Sequence, residues 1–425
     1  MRNAAALARQ NGQPLVILGT CVQTGGVLKD EVQFNGHAGT VAGRWARALV
    51  PSVCDVSVTN VCNATCNFCC FAHDKDIVTD RRWLDKDKFI AALPILYRRG
   101  VRYVNFQGGE PLLHPAIFEM TAAIAANGMR AAMITNGWLL PDKIERLIDA
   151  GLSTLLCSLD SHDIAVHEKN RGLKGVGKRL KTSVGIAKKA GLPTVAVVTV
   201  SHLVDFARLP EALDDLGFDA VSFSYPRKEP FGSSSLVFNP DSDLVDFTGP
   251  QLERAIDGIL ALKKRRVVMN PRASLEDLRR FARGEEQRIG CIGGRKYFYL
   301  DWNLMLWRCE AWSEPMGSVF DLDSIPDHTD RCTACNQNCY RDTSALMHFG
   351  LAVTDAIAEV AEGRIAAAFG KFDQPGLGSS LRAVIEEAGV IRKLAPRKAA
   401  GRSGGRDDGT LGGAAAVEAD NEAPA

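Results

Sequence analysis

The chain has 425 residues, 46% of them hydrophobic, enough for one large domain of about 200–250 residues and a smaller one. Its 51 lysines and arginines are balanced by 50 aspartates and glutamates, which excludes a broad electrostatic pull on nucleic acid or an anionic membrane. No apolar run approaches the roughly 20 residues of a membrane span, and residues 1–10 carry two arginines but no apolar core ahead of a cleavage site, so no signal peptide is read there. The twelve cysteines fall mainly into two clusters far apart, in a chain too long for a secreted disulfide scaffold. That pattern points to metal bound by free thiolates in a reducing, cytoplasmic setting.

Residues 1–50 read as an N-terminal extension, with an edge strand over Pro14–Gly19 and a short helix over Ala38–Leu49. From 51 the chain alternates. Strands are expected at Val53–Thr59, Val101–Phe106, Ala131–Thr135, Thr154–Leu159, Thr194–Val200 and Ala220–Tyr225, and helices at Asp85–Arg99, Pro115–Asn127, Pro141–Ala150, Val176–Ala190 and Asp205–Leu216. Gly100, Gly128, Gly151, Gly191 and Gly217 stand where a C-terminal glycine cap belongs. Six such units predict an α/β fold with a parallel sheet and right-handed crossovers, built over 51–240. Periodicity does not choose between an open doubly wound sheet and an incomplete barrel. The Ser-, Gly- and Pro-rich stretch Pro226–Pro240 reads as a loop. A helical linker (241–285) carries helices at Pro250–Arg266 and Ser274–Arg283. A cysteine-rich segment (286–345) follows, then a C-terminal helix (346–370, over Leu351–Phe369). Residues 371–425 read as a mostly disordered tail, whose basic run Arg392–Arg406 reads as a solvated segment, with contact to a partner as the alternative.

Directly after the first strand come Cys62, Cys66 and Cys69, a Cys-x3-Cys-x2-Cys triplet. A tight loop can bring three thiolates around one 4Fe–4S cubane and leave the fourth iron open to a ligand; a zinc knuckle more often uses two distant Cys-x2-Cys pairs. With Phe68 before Cys69, the triplet resembles the signature loop of the radical S-adenosylmethionine superfamily. Further segments resemble that family in the same order: Gly108-Gly109-Glu110-Pro111 after the second strand, Thr135-Asn136-Gly137 ending the third, Ser158-Leu159-Asp160 ending the fourth, and 167–172 with Arg171. Nearly all sit at or just past the C-terminal end of a strand, where α/β active sites are built. The resemblance covers about 51–230. It implies a partial (β/α)6 TIM-like barrel holding a catalytic 4Fe–4S cluster on Cys62, Cys66 and Cys69. It further implies S-adenosylmethionine held by Phe68, Gly108, Gly109, Glu110, Thr135, Asn136, Ser158, Asp160 and Arg171, with reductive cleavage to a 5′-deoxyadenosyl radical. Cys70, beside Cys69, departs from the pattern and reads as a packed thiol.

The second cluster comprises Cys291, Cys309, Cys332, Cys335 and Cys339. Between the first two, residues 297–308 read as a β-hairpin turning at Asp301–Asn303. The layout resembles the twitch form of the SPASM domain, a small C-terminal α+β domain that holds an auxiliary 4Fe–4S cluster. By that resemblance Cys291, Cys309, Cys332 and Cys335 are its ligands, with Cys339 a fifth thiol that could replace Cys332 or Cys335. The same four thiolates would also suit a structural zinc. The family usually has glycine in the hairpin turn, where this chain has Leu304.

Cys54 and Cys157, on strands, read as core, and Cys21 carries no signal. Trp302, Trp307 and Trp312 read as packing, His162 and His167 as surface or loop residues. Arg227, Lys228 and Glu229 follow the last barrel strand and read equally as substrate ligands or loop charges. The expected function is a radical enzyme acting on an unactivated carbon of a small-molecule, lipid or peptide substrate, fed by a flavodoxin- or ferredoxin-type reductant. Rival readings are adenosyl or carbon-group transfer to a lipid or isoprenoid acceptor, and an iron–sulfur electron-transfer or scaffold protein. No acid or base is identified.

Overall fold

A computed structural model of the chain describes residues 50–69, 71, 80–225 and 242–394. The expected N-terminal strand and helix, Cys21, Cys70, Arg227, Lys228, Glu229, nearly all of the basic run and the segment Gly401–Ala425 lie outside the described residues.

Six strands, β1 (Ser52–Ser57), β2 (Val101–Gln107), β3 (Arg130–Thr135), β4 (Leu152–Ser158), β5 (Thr194–Thr199) and β6 (Ala220–Ser224), pair in parallel in strict chain order. A doubly wound sheet reverses its strand order at a switch point. Sequential order with right-handed crossovers instead puts the connecting helices on one face, as in a barrel. β6 does not return to β1, so the barrel is partial. The choice that periodicity left open is settled by this order.

The helices are α1 (Lys86–Arg98), α2 (Ile117–Ala126), α3 (Leu140–Asp149), α4 (Ile164–Arg171), α5 (Val176–Lys189) and α6 (Leu209–Leu216). α1 shows why they form where they do. Asp85 caps it by accepting from Lys88 N at 3.0 Å, and its buried stripe Phe89, Ala92, Leu93 and Leu96 follows helical spacing. Phe89 packs on Phe106 of β2 with ring centroids 5.9 Å apart. Val104 and Phe106 therefore face the helices, and Asn105 and Gln107, by the two-residue period of a strand, face the concave side.

Two helices differ from expectation. α4 was not anticipated, and α6 starts at Leu209 rather than Asp205, because the Asp205 carboxylate accepts from Ala207 N and Arg208 N and holds that stretch in a turn. The five glycines after helices all have positive φ, as a C-terminal cap requires.

The chain then forms α7 (Gly249–Lys263) and α8 (Arg272–Ala282) and re-enters the same sheet. β7 (Tyr297–Leu300) pairs in parallel with β1, while β8 (Met305–Trp307) and β9 (Gly317–Ser318) continue antiparallel beyond it. The nine-stranded sheet thus runs without a break from the barrel into the second cysteine region. The expected hairpin is present, with Asp301 Oδ1 accepting from Asn303 N at 2.8 Å and Met305 N at 3.0 Å.

The C-terminal part departs further from the sequence reading. α9 spans Asn338–Ala361, starting well before Leu351, and ends at Gly363, whose φ of +78° breaks it from α10 (Ile365–Gly370). α11 (Leu377–Leu394) is a helix within the stretch expected as tail; Ala383 packs there against Ile289 and Ala345. α9 also corrects the reading that no run approaches membrane-span length: it is 24 residues long, and an 18-residue window averages a mean hydropathy of 1.2. Among the described residues it is the one helix long and apolar enough for that test, but here it packs within the fold. Its Arg341 is buried and ion-paired with Asp277 at 2.9 Å.

α9 also lies across the gap between β6 and β7. Its Tyr340 ring sits 4.4 Å from that of Tyr297 on β7. Its Asp342 accepts from Ser274 and from Asn270 Nδ2 at 2.7 Å, and Asn270 extends β6 through both backbone groups of Phe223, at 2.8 and 2.9 Å.

Candidate active site and cysteine centres

The loop after β1 carries the first three cysteines. Cys66 is buried and Cys62 and Cys69 are half-buried. The loop is pinned from both sides: Thr65 N donates to Arg171 O at 2.9 Å, and Asn136 Nδ2 donates to Asn63 Oδ1 at 2.8 Å. Phe68, 3% exposed, anchors it in the core. Burial, reinforced by Glu110, pushes the Cys62 thiol up to about 11. Burial raises Cys66 as well, with Arg171 acting the other way. Such thiols stay protonated at neutral pH unless a metal displaces the proton.

Gly108 and Gly109 lie against that loop so closely that side chains are excluded. A Cβ on Gly109 would meet Val61 O at 2.1 Å, and one on Gly108, whose φ is +120°, would meet Thr59 O at 2.5 Å. Gly109 N and Glu110 N donate to Thr59 O and Val61 O, each at 2.8 Å. Glu110, 1% exposed, accepts from Leu112 N at 3.0 Å, Thr135 Oγ1 at 2.7 Å and Asn136 N at 2.8 Å. Burial nevertheless raises its carboxyl above the ordinary value. One side chain thus ties the ends of β2 and β3 together.

The end of β4 is held by a buried network. Asp160 is fully buried. It accepts from Arg171 Nη2 at 2.6 Å and Asn170 Nδ2 at 2.8 Å, and its backbone N donates to His167 Nδ1 at 3.2 Å. Burial works to raise the Asp160 carboxyl, but the Arg171 guanidinium outweighs it and holds it below the usual range. Arg171 Nε is buried with no hydrogen-bond partner, leaving one charged donor for an anionic ligand. Ser158, half-buried, ends β4 on the concave side. All nine residues expected to hold S-adenosylmethionine therefore gather at one end of the sheet. His167 corrects the surface reading: it is fully buried beneath Asp160. Cys54 and Cys157 are fully buried, as core residues should be.

Of the second cysteine group, Cys291, Cys309, Cys332 and Cys335 lie near enough to influence one another's thiols. Burial and the neighbouring Cys335 push Cys291 up to about 11, with Cys332 adding to it. Cys309 is raised by burial, then by Cys335 and Cys291. The backbone joins the set, with Cys291 N donating to Cys332 O at 2.9 Å and Gln287 Nε2 donating to Thr333 O and Cys335 O, each at 2.8 Å. Cys339 packs against the same apolar cluster, around Tyr297 and Tyr340, as Cys291 and Cys309. After burial, its thiol is raised by Glu310 and Asp55, and it lies against the Tyr297 hydroxyl. Among the described residues no three His, Cys, Asp or Glu side chains are drawn together closely enough to grip a single ion.

The concave face holds polar residues that the sequence reading missed. Asp55 accepts from Asn105 Nδ2 and from Tyr297 Oη, each at 2.8 Å, and Gln107 Nε2 donates to Glu310 at 2.9 Å. The signal was the two-residue alternation Asp55, Ser57 and Asn105, Gln107 inside strands read as apolar throughout.

Comparison with known proteins agrees with this geometry. The family model described as the radical SAM superfamily matches residues 56–223. A GTP 3′,8-cyclase of Chlorobaculum tepidum is 38% identical over 110 residues, 25% of this chain and 32% of that protein. A GTP 3′,8-cyclase of Helicobacter pylori is 32% identical over 36% of this chain and 51% of its own. The AdoMet-dependent heme synthase of Methanosarcina barkeri is 29% identical over 40% and 50%. The chain thus spans about a third to a half of the length of these curated relatives. The crystal structure of Streptococcus suis SuiB bound to S-adenosylmethionine superposes with a TM-score of 0.50 at 16% identity, covering 66% of each chain; that likeness is one of fold.

Proposed function

We propose that the chain, whose residues 56–223 match the radical SAM superfamily model, cleaves S-adenosylmethionine at the three-cysteine loop and uses the resulting radical on a substrate bound in the concave face of the partial barrel. The observation that carries the reading is the convergence of three buried or half-buried thiols, the Gly108–Glu110 segment and the Asp160–Arg171 pair at the C-terminal ends of β1 to β4. The 4Fe–4S cluster and S-adenosylmethionine, when bound, supply one-electron cleavage of a sulfonium carbon–sulfur bond and a carbon radical able to abstract hydrogen.

The protein's own residues fix and shield. Cys62, Cys66 and Cys69 are the donor set for the cluster, and three thiolates suit a cubane with one open iron. Glu110 locks the β2 and β3 ends in register. Arg171, with Nε to spare, is placed to receive the methionyl carboxylate, and Asp160 keeps it charged and oriented. Cys291, Cys309, Cys332 and Cys335 are the proposed ligands of an auxiliary 4Fe–4S cluster, and Cys339 is left out of that set because the groups acting on it most strongly are Glu310 and Asp55, with the Tyr297 hydroxyl hydrogen-bonded to it. The substrate is not carried over from the relatives named as acting on GTP or making heme, since the similarity covers only part of their length.

The test is anaerobic reconstitution followed by incubation with S-adenosylmethionine and a low-potential one-electron reductant. We expect about eight irons per chain on the two-cluster reading and formation of 5′-deoxyadenosine. Cys66→Ala should abolish it; full activity in that variant would refute the proposal. Stoichiometric zinc with only about four irons would overturn the auxiliary assignment.

A further inference from the structure

The concave face of the sheet carries a charge that the described fold does not balance. Asp55 sits in the middle of β1, 2% exposed. Its two hydrogen bonds come from neutral donors, the Asn105 amide and the Tyr297 phenol. Among the described residues no lysine, arginine or histidine is paired with it. Glu310 lies on the same side, bound to Gln107, and both carboxylates act on the phenol of Tyr297 and the thiol of Cys339. Between them stands Ser57, two residues after Asp55 on the same face and opposite Gln107 in the β1–β2 register. Ser57 is fully buried and its hydroxyl has no hydrogen-bond partner.

Each feature is costly in a folded chain on its own. A buried carboxylate without a cation gives up hydration that hydrogen bonds from neutral donors only partly restore. A buried hydroxyl with no partner forfeits its hydration and gains nothing in return. Both lie on the concave face of the sheet, opposite the helices and below the strand ends that hold the thiol loop, and both are closed to solvent in the described fold. Unbalanced polar groups gathered at such a face are satisfied by what binds there.

We propose that Asp55, assisted by Ser57, anchors a cationic group of the substrate, a protonated amine or guanidinium, so that this enzyme acts on an amine-bearing compound and not on a nucleoside triphosphate. The inference rests on the radical reading for its assumption that the substrate lies in the concave face. Asp55 supplies the counter-charge and Ser57 a hydroxyl oxygen to accept from the cation. The Asn105 and Tyr297 donors hold the carboxylate in one orientation, so little freedom is lost on binding.

The test uses the reconstituted holoenzyme, with agmatine as the cationic probe and GTP as the anionic one, read as the shift in thermal midpoint across a concentration series. Agmatine should raise the midpoint of the unaltered protein, Asp55→Asn should abolish that shift, and GTP should give none. Asp55→Asn without ligand should remain folded, since the Tyr297 hydroxyl can turn to accept from the new amide. Ser57→Ala, which breaks no hydrogen bond of the fold, should leave the midpoint equal or raised and weaken agmatine binding about ten-fold, as loss of one hydrogen bond to a charged group implies. No agmatine shift, an undiminished shift in both variants, or a saturable shift with GTP would overturn the proposal. Formation of 5′-deoxyadenosine by the unaltered enzyme is measured alongside. If cleavage persists while agmatine fails, only the substrate assignment falls; if cleavage is absent, the radical reading itself falls.

Discussion

Three donors converge on the Glu110 carboxylate, and all of them come from the protein. It therefore holds the ends of β2 and β3 together, and on the proposed function this presents their backbone to a ligand. Glu110→Gln turns one acceptor atom into a donor that faces another donor, Asn136 N or the Thr135 hydroxyl with Leu112 N. We expect a loss of about 1–3 kcal/mol in chemical denaturation and at least ten-fold weaker S-adenosylmethionine binding by equilibrium dialysis. Iron content should be unchanged, because the thiols are untouched. Leu304 offers a second residue-scale test. Its φ of +63° places a non-glycine residue in the left-handed region, at the hairpin position where glycine is usual in the resembling family, yet its side chain is 5% exposed and packed in the core. Leu304→Gly would relieve roughly 1 kcal/mol of backbone strain but lose about 2–5 kcal/mol of buried side chain and leave a cavity. The net should be destabilisation, measured by urea denaturation; a more stable variant would show that the backbone strain outweighs the packing.

At the scale of elements, α9 does what a barrel's missing strands would do, bracing both sides of the gap between β6 and β7. Burial pushes the Asp342 carboxyl up to about 7, the Ser274 and Asn270 hydrogen bonds opposing it, Glu387 of α11 adding to it and Lys263 of α7 reducing it. Folding therefore takes up a proton between about pH 4, the ordinary carboxyl value, and pH 7. In that window stability should rise as pH falls, and the contribution is lost as pH climbs through 7. Asp55, raised to about 6 by burial against its Asn105 and Tyr297 hydrogen bonds, has the same sign. Denaturation of Asp342→Asn across pH 5–8 should show a shallower slope than the unaltered protein, by up to about 1.4 kcal/mol per pH unit; an unchanged slope would remove Asp342 from this account. None of this brace was legible in the sequence, because it joins residues such as Asn270 and Asp342 through side-chain bonds that leave no periodic trace. The strands, the main barrel helices and the thiol loop were legible, since each is a local pattern followed by a turn or cap. α4 was missed because only His167 and Arg171 along it are buried, which gives no apolar stripe. Its Asp163 cap and the left-handed Gly172 at its end were the usable signals.

The described fold hangs on one nine-stranded sheet. The cysteine-rich segment after residue 285 does not stand apart: β7 covers the edge of β1 through Val53, Cys54, Asp55 and Val56, and Tyr297 reaches Asp55 from the far side of that pairing. The boundary drawn near 286 from sequence thus crosses a hydrogen-bonded sheet, and two kinds of lesion should separate. Truncation after residue 285 strips β1 of its neighbour, exposes a parallel edge and removes α9 from the gap; such an edge invites aggregation. The truncated chain should be poorly soluble and lose the first cluster together with the second. Cys309→Ala removes one thiol but leaves β7, β8 and α9 in place. On the proposed ligand set, that variant should keep about half its iron and still form 5′-deoxyadenosine, while product from any bound substrate is lost. Iron analysis and product mass measurement on the two proteins, purified anaerobically in parallel, check this. A soluble truncated chain that cleaves S-adenosylmethionine normally would show that the barrel stands without β7. A Cys309→Ala variant with normal product yield would make the second centre structural.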